Sequence, residues 1–313
     1  MTHPQFLKKL IWAVDAFEET NEIQLHTIET LKLFANMIQT QVQPVYVLNP
    51  DQLDIPMELS QPFLDRYEIS AKKSLEHILR KADINGLLPP KILIHQKTSL
   101  RGATQALLSY AMSVSASAIV VGSHGRSGLE RFFLGSFSES LTLQSKLPVL
   151  IVGTKTKTQN EIKEILFPTD FAENSFEVFL KVVKLATELN AKIFLLHIIP
   201  NPIEPVVQSG IYLLGGGWVP VAAYKEKEEE KQRKIAEQWM SWAIEHQASV
   251  ELIMDLDSKK VSDTILEYAK KMSGVIIAMA AQSGQVASTL LGSISRQVTR
   301  NAPCPILLMR IDD

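Results

Sequence analysis

The chain repeats itself after 157 residues, and this internal repeat constrains the fold more than any other feature of the sequence. Leu134–Ser136 returns as Leu291–Ser293, and the apolar run Pro148–Val152 returns as Pro305–Met309. About 150 residues is the usual size of one folded domain. The repeat therefore predicts two similar domains, one after the other, in a chain of 313 residues.

Each half alternates short apolar runs with amphipathic segments, which predicts alternating strands and helices. In the first half we expect strands near Lys9–Val14, Val42–Leu48, Lys91–His95, Ala118–Val121 and Val149–Val152. In the second half we expect strands at Glu164–Phe167, Lys192–Ile199, Val250–Met254, Val275–Met279 and Ile306–Met309. The helix after the first of these has an Asn174/Glu177 pair at N-cap spacing and Asn190 where a left-handed C-cap belongs. The pattern predicts an α/β fold: two repeated domains, each a five-stranded parallel sheet with helices on both faces.

A polar stretch at the midpoint marks the boundary between the two halves. Residues 154–160 include no apolar side chain, which is typical of a linker. We therefore expect a first domain over residues 1–153, a linker over 154–161 and a second domain over 162–313.

Charge and cysteine content narrow the classes of partner. Lys plus Arg number 32 and Asp plus Glu number 34, so the net charge of −2 argues against a nucleic-acid-binding protein. Three stretches of 20 residues or more lack charge, but Ser, Gln, Gly or Pro interrupt each of them, so we expect no membrane span. The single cysteine, Cys304, excludes an internal disulfide and fits a reducing compartment; we expect a cytoplasmic protein with Cys304 buried in the core.

A glycine-rich segment follows the fourth strand of the first half. Gly122 and Gly125 come directly after the strand, and Gly135-Ser136 opens the next helix. Glycines let backbone N–H groups approach phosphate oxygens, and a helix N-terminus favours negative charge. The same pattern also fits a tight turn followed by an ordinary capping box from Ser136 to Glu139. The spacing alone leaves both interpretations open.

The segment GSHGRSGLERFFLGSFSESL (residues 122–141), followed by PVLIV, resembles the universal stress protein family. Nucleotide-binding members of that family carry G-x2-G-x9-G-[ST] here, and Gly122, Gly125, Gly135 and Ser136 fit it without a gap. ILFPTDFAENS (residues 165–175) and the HII at His197 resemble the family's first and second strands. The resemblance covers nearly the whole chain and implies a Rossmann-related fold of the adenine-nucleotide α-hydrolase type.

The resemblance also implies a binding site in the first half. The Asp ending the first strand contacts the nucleoside in the family, and Asp15 matches it here, as Asp170 does in the second half. Main-chain groups at the end of the second strand meet the adenine, and the glycines of the loop with the Gly-Ser pair hold the phosphates. The expected site comprises Ala13, Val14, Asp15, Val47, Leu48, Val121, Gly122, Gly125, Arg126, Gly135, Ser136 and Phe137. Family members usually have a small aliphatic residue where Phe137 stands.

The second half departs from the motif. Met279 and Gln282 replace the two loop glycines, while Gly292 and Ser293 keep the Gly-Ser pair. A side chain at either loop position is expected to obstruct close approach of the backbone to phosphate. We therefore expect one competent nucleotide site, in the first half, and a second half that is empty or adapted to another ligand.

Several other residues have a structural interpretation beside a functional one. Strand-end aspartates such as Asp15 and Asp170 are also common turn residues. Arg126 and His124 could pair with phosphate oxygens or simply be solvated. His197, inside an apolar strand, is expected to be a hydrogen-bonded buried histidine. The charged run Lys225–Lys234 is expected to form a solvated helix face.

These observations lead to one favoured function and its rivals. We expect a stress-response or regulatory protein that binds ATP in its first domain, together with Mg²⁺. The rivals are a slow ATPase or nucleotidyl-transferring enzyme, for which no nucleophile–base arrangement stands out, and a scaffold with two vestigial sites. The protein partner is unknown.

The way single-domain members of the family dimerise implies an association between the two halves. Those members pair through their last strands, so Val149–Val152 is expected to pair with Ile306–Met309 in an intramolecular pseudo-dimer. Whether two such chains associate further into a homodimer is left undecided by the sequence. The apolar, glycine-rich segment Ile211–Ala223 is either a cover over the second site or an oligomer contact.

Overall fold

The structure is a computed structural model of the chain. It describes residues 5–17, 22–48, 60–94, 100–123, 136–199, 211–212, 218–219, 221–256, 260–281 and 291–310.

The first half alternates strands and helices as the sequence predicts. Its elements are β1 (Lys9–Ala13), α1 (Glu22–Ile38), β2 (Gln41–Leu48), α2 (Ser60–Ala82), β3 (Lys91–Ile94), α3 (Leu100–Ser113), β4 (Ala118–Gly122), α4 (Ser136–Gln144) and β5 (Val149–Val152). Among the described residues of this half the four strand pairings are parallel, and the strands lie in the order β5-β4-β1-β2-β3.

The second half repeats this order and adds a short hairpin. Its elements are β6 (Glu164–Pro168), α5 (Glu173–Leu189), β7 (Lys192–Ile198), β8 (Ile211–Tyr212), β9 (Trp218–Val219), α6 (Val221–Glu245), β10 (Val250–Asp255), α7 (Val261–Lys271), β11 (Val275–Ala280), α8 (Ser293–Asn301) and β12 (Ile306–Met309). The sheet strands again pair in parallel, in the order β10-β7-β6-β11-β12. Antiparallel β8 and β9 form a separate two-stranded ladder. Residues 213–217 and 220, the rest of the apolar, glycine-rich segment before α6, lie outside the described residues.

The two halves join through their last strands into one ten-stranded sheet. β5 and β12 run antiparallel, with Leu150 opposite Leu307. All four residues of each of these strands are buried. The pairing of last strands that the sequence analysis expected is therefore present in the structure.

Apolar side chains cover both faces of this sheet. One cluster holds residues of α1, α2, α5 and α6, and the other holds residues of α3, α4, α7 and α8. Alternate residues of β5 and β12 enter opposite clusters: Leu150 and Leu307 face the first, whereas Val149 and Ile306 face the second. Each cluster thus runs through the junction between the two halves.

The two ends of α5 show one correct and one wrong expectation. Asn190 has φ 51° and ψ 41°, the left-handed C-cap that the sequence predicts. The N-cap residue is Ala172. Within residues 136–199, all of which are described, no side chain caps this helix, so the predicted capping pair of Asn174 and Glu177 was wrong. Its start is set instead by Asp170, whose Oδ1 accepts the Ala172 N–H at 3.1 Å and the Ser175 hydroxyl at 2.9 Å.

Candidate functional site

The carboxyl ends of β1 and β4 lie where the strand order of the first half changes direction. The chain runs outward from β1 through β2 to β3, then returns to place β4 on the other side of β1. Ala13 is level with Val45 of β2 and with Val121 of β4. In open parallel sheets such a switch point leaves a crevice beyond the strand ends, where ligands bind.

Asp15 lies at this edge, two residues beyond the end of β1, and is half-buried. Its Oδ1 accepts the N–H of Phe17 at 2.9 Å, so the side chain closes a turn of the Asx type. Asp170 makes the same bond to the amide two residues on. The turn role that the sequence left open for these aspartates is thus observed in both halves.

A buried serine joins α4 to the end of β4. Ser138 is 2% exposed, and its hydroxyl donates to the carbonyl of Gly122 at 2.6 Å. The second half repeats this contact, because the Ser295 hydroxyl donates to the carbonyl of Ala280 at 3.2 Å. The helix that begins at Ser136 is therefore tied directly to the strand end from which the glycine-rich segment leaves.

Most of the expected site residues are described, and the strand order brings them to one edge of the sheet. Ala13, Val14 and Asp15 end or follow β1, Val47 and Leu48 end β2, Val121 and Gly122 end β4, and Ser136 and Phe137 begin α4. Gly125, Arg126 and Gly135, like His124, lie outside the described residues.

Two of these residues have clear packing roles. Leu48 is fully buried in one apolar cluster, so only its main chain is available to a ligand. Phe137 is partly buried and packs against the other cluster. The bulky ring that departs from the family pattern is thus accommodated by the core.

The second half lacks the loop glycines but keeps the framework around them. The register of the sheet places Ala280, not Met279, at the position of Gly122, because Gly122 is paired with Val152 and Ala280 with Met309, one repeat later. The expected replacement of Gly122 by Met279 was therefore wrong: Met279 takes the place of Val121, and its side chain is part of the apolar core. At this strand end the second half therefore differs from the first by the Cβ of Ala280, not by a long side chain. Gln282 lies outside the described residues, and Gly292 precedes α8 as its N-cap.

His197 lies at the carboxyl edge of the second half, near the end of β7. It is 7% exposed, its Nδ1 is 2.8 Å from the carbonyl oxygen of Thr169, and its ring centroid is 5.2 Å from that of Phe171. Burial lowers its pKa, and the Thr169 carbonyl opposes this shift. The expectation of a hydrogen-bonded buried histidine is confirmed.

Two further expectations are also confirmed. Burial raises the pKa of the Cys304 thiol to about 12, so the thiol is part of the packing. The charged run on α6 forms ion pairs one helical turn apart, Glu229 with Arg233 and Glu230 with Lys234. Such pairs are typical of a solvated helix face.

Sequence reasoning missed Ser138, although a signal for it was present. The repeat aligns Ser136–Ser138 with Ser293–Ser295, so the serine two residues after the Gly-Ser pair recurs in both halves. A hydroxyl near the start of a helix looks like a solvated group until its packing is known.

Among the residues that the structure describes, no helix combines the length and the apolar character needed to cross a bilayer. The same part of the chain holds no cluster of three or more His, Cys, Asp or Glu side chains able to bind a metal ion.

Comparison with known proteins agrees with the fold. The model of the universal stress protein family matches twice, at residues 7–153 and 161–310. A universal stress protein of Methanocaldococcus jannaschii is 26% identical over 156 residues, which are 49% of this chain and 84% of the relative.

Among the solved structures that match the chain are two from Archaeoglobus fulgidus. A universal stress protein from Archaeoglobus fulgidus matches with a TM-score of 0.58 and 17% identity, covering 99% of this chain and 98% of its own. Another from the same organism, solved in complex with dAMP, covers 49% of this chain and 100% of its own, with 17% identity and a TM-score of 0.34. The two family matches together span almost the full length, so the chain belongs to the universal stress protein family and carries its domain twice.

Proposed function

We propose that the first half binds an adenine nucleotide, ATP, in the crevice beyond β1 and β4, and that the protein acts in a stress response through this binding. One observation carries the proposal: the switch point of the sheet places Asp15 beside the strand end at Gly122, to which Ser138 fixes the start of α4. A carboxylate, a glycine-rich strand exit and a helix N-terminus meet at one edge. Together they suit a ligand with both hydroxyl and phosphate groups.

Each expected site residue has a part in this proposal. Asp15 contacts the ribose with its carboxylate, while the main chain of Ala13, Val14, Val47 and Leu48 borders the adenine. The phosphates lie against Val121, Gly122, Gly125, Gly135, Ser136 and Phe137, with Arg126 offsetting their charge. Mg²⁺, when bound, would be held by phosphate oxygens and, through water, by Asp15; carboxylate and water oxygens are ligands that suit this ion.

The second half serves, in this proposal, as a built-in dimer partner. It covers the edge of β5 that a single domain would expose. We place the domain boundaries at residues 1–153 and 162–313, with a linker over 154–161. The single cysteine fits a cytoplasmic location. A protein partner would respond to the nucleotide-bound form, and ATP hydrolysis, if any, would be weak.

Two matched glycine variants test the proposal. Calorimetry with Mg-ATP should detect binding to the wild-type protein, and Gly135→Ala should weaken it by roughly tenfold or more, about 1.4 kcal/mol. Gly292→Ala, at the same place in the second half, should bind as the wild type does. A Cβ there would lie 3.6 Å from the Ser295 hydroxyl, an ordinary contact. Absence of binding to the wild type, or equal affinities for both variants, would refute the proposal.

A scaffold without nucleotide is the second candidate, and one observation favours it. The carboxylates of Asp15 and Asp170 both close turns, a role that needs no ligand. If this candidate is correct, protein purified without added nucleotide carries none, and Mg-ATP does not raise its unfolding temperature. Adenine nucleotide found by mass spectrometry in the purified protein would count against it.

A further inference from the structure

The residue pairs at the contact between the two halves are related by a local two-fold axis. Leu150 pairs with Leu307, Ile151 with Ile306, and Val149 with Leu308. Leu150 and Leu307 are 157 residues apart, the period of the repeat, so they occupy the same position in their domains. The other two pairs are equivalent to each other, because Leu308 is the repeat of Ile151 and Ile306 is the repeat of Val149. The halves are therefore related like the subunits of a symmetric dimer, with the axis at Leu150 and Leu307.

The strands at this junction do not distinguish one half from the other. β5 contributes Val-Leu-Ile and β12 contributes Ile-Leu-Leu to the three pairs, all buried. The backbone bonds of the ladder are independent of side chains. Two first domains from different chains, or two second domains, would bury nearly the same apolar surface. Any preference for unlike domains must come from contacts outside these strands.

One contact outside the strands differs between the halves and lies on the same axis. Glu139 of α4 and Arg296 of α8 are also 157 residues apart, and their Oε1 and Nη2 atoms are 3.1 Å apart. Both side chains are about two-thirds buried, with 30% of Glu139 and 33% of Arg296 exposed. In a pair of first domains Glu139 would face a second Glu139, and in a pair of second domains Arg296 would face Arg296.

We propose that Glu139 and Arg296 determine which domains pair, by favouring contact between unlike halves and disfavouring contact between like ones. The unlike pair gains an attraction, and both like pairs meet repulsion in a partly desolvated place. The linker adds contacts on one side, Lys155 with Asn301 and the Lys157 N–H with the Pro303 carbonyl. These contacts fix the linker, through which the chain enters the second half, whereas the Glu139–Arg296 pair acts on which domains associate.

The selection has a consequence for assembly. A chain that paired its first domain with that of a second chain would leave its own second domain unpaired. The free second domain then pairs either with that of the same partner chain, which closes a dimer of two chains, or with that of a third chain, which extends the assembly. Pairing of unlike halves within one chain covers both last strands and ends the assembly.

Refolding of the full-length protein tests the proposal. Wild type, E139Q/R296Q and the charge-swapped E139R/R296E are unfolded, refolded over a series of protein concentrations, and sized by light scattering. We expect the fraction of species larger than those of wild type to rise by roughly 1.4-fold to fivefold in E139Q/R296Q, the range that measured exposed ion pairs give. E139R/R296E, which restores opposite charges, should refold as wild type does.

A matched control separates domain choice from loss of charge in general. E229Q/R233Q neutralises an ion pair with a 2.7 Å separation on α6 and should behave like wild type. The proposal is overturned if E139Q/R296Q gives the same sizes as this control, or if E139R/R296E gives the same sizes as E139Q/R296Q. Should E139Q/R296Q not refold, R296E replaces it: larger species than with E139R/R296E support the proposal, and equal sizes overturn it.

Discussion

Replacing Ser138 by alanine removes the hydroxyl that joins α4 to the end of β4. The hydroxyl donates to the Gly122 carbonyl at 2.6 Å, and the residue is 2% exposed. Alanine is a better helix former than serine and introduces no clash, so the change isolates this one bond. The Gly122 residue is half-buried, so its carbonyl, deprived of this donor, costs about 1–2 kcal/mol, and we expect the free energy of unfolding to fall by that amount.

The same change should reach the proposed nucleotide site. Without the bond, the first turn of α4 is no longer held against the strand end from which the glycine-rich segment leaves. We therefore expect the dissociation constant of Mg-ATP to rise by roughly threefold to tenfold, or about 0.7–1.4 kcal/mol. Ser295→Ala is the matched control, because Ser295 makes the corresponding bond at 3.2 Å in the second half. It should lose about 1 kcal/mol of stability and keep its affinity.

Urea unfolding and calorimetry measure the two effects separately. A lower urea midpoint at an unchanged slope reports the loss of stability, and heats of Mg-ATP binding report the affinity. The reasoning fails if Ser138→Ala alters neither quantity, or if Ser295→Ala weakens nucleotide binding as much as Ser138→Ala does.

Three further predictions concern the junction and two buried groups. Leu150→Lys places a charge opposite Leu307 at a site that is 1% exposed, so X-ray scattering should show a larger radius of gyration. The control Ile94→Lys, at an exposed position of the outer strand β3, should leave the scattering profile unchanged. An unchanged profile of Leu150→Lys would contradict the prediction. Because burial raises the pKa of Cys304 to about 12, iodoacetamide should alkylate the urea-unfolded chain but not the native one, as judged by mass spectrometry. Burial lowers the pKa of His197 below its usual 6.5, so the unfolded chain binds a proton at higher pH than the native one does. The urea midpoint should therefore fall as the pH drops below that value, and an equal fall in His197→Asn would contradict this.

The repeat and the buried apolar runs made most of the fold predictable. The strand at Val149–Val152 reads as apolar at every position, and the structure buries every one. The start of α5 was mispredicted because Asp170 and Asn174, only four residues apart, both have side chains suited to the role. Asp170 prevails by forming its turn, with Phe171 at φ 55°, a conformation that sequence patterns do not suggest for a bulky residue. The hairpin of β8 and β9 has only two residues a strand, too few for a periodic signal.

The site was predictable where strand ends define it and less so where packing does. Asp15 and Gly122 could be placed at one edge from strand order alone. The counterpart of Gly122 could not, because the repeat period of 157 residues points to Met279, whereas the strand register is shifted by one residue and places Ala280 there. Ser138 and Ser295 owe their roles to how closely a helix approaches a strand, a distance that no spacing in the sequence specifies.

The apolar layers that run unbroken through the β5–β12 junction couple the thermodynamics of the two halves. Neither half can unfold by itself without exposing the buried strand of the other, so melting is expected to be cooperative over the whole chain. A ligand present at 100 times its dissociation constant adds about 2.7 kcal/mol to the native state. Through the shared layers, a nucleotide bound only in the first half would also protect the second half from heat and proteases.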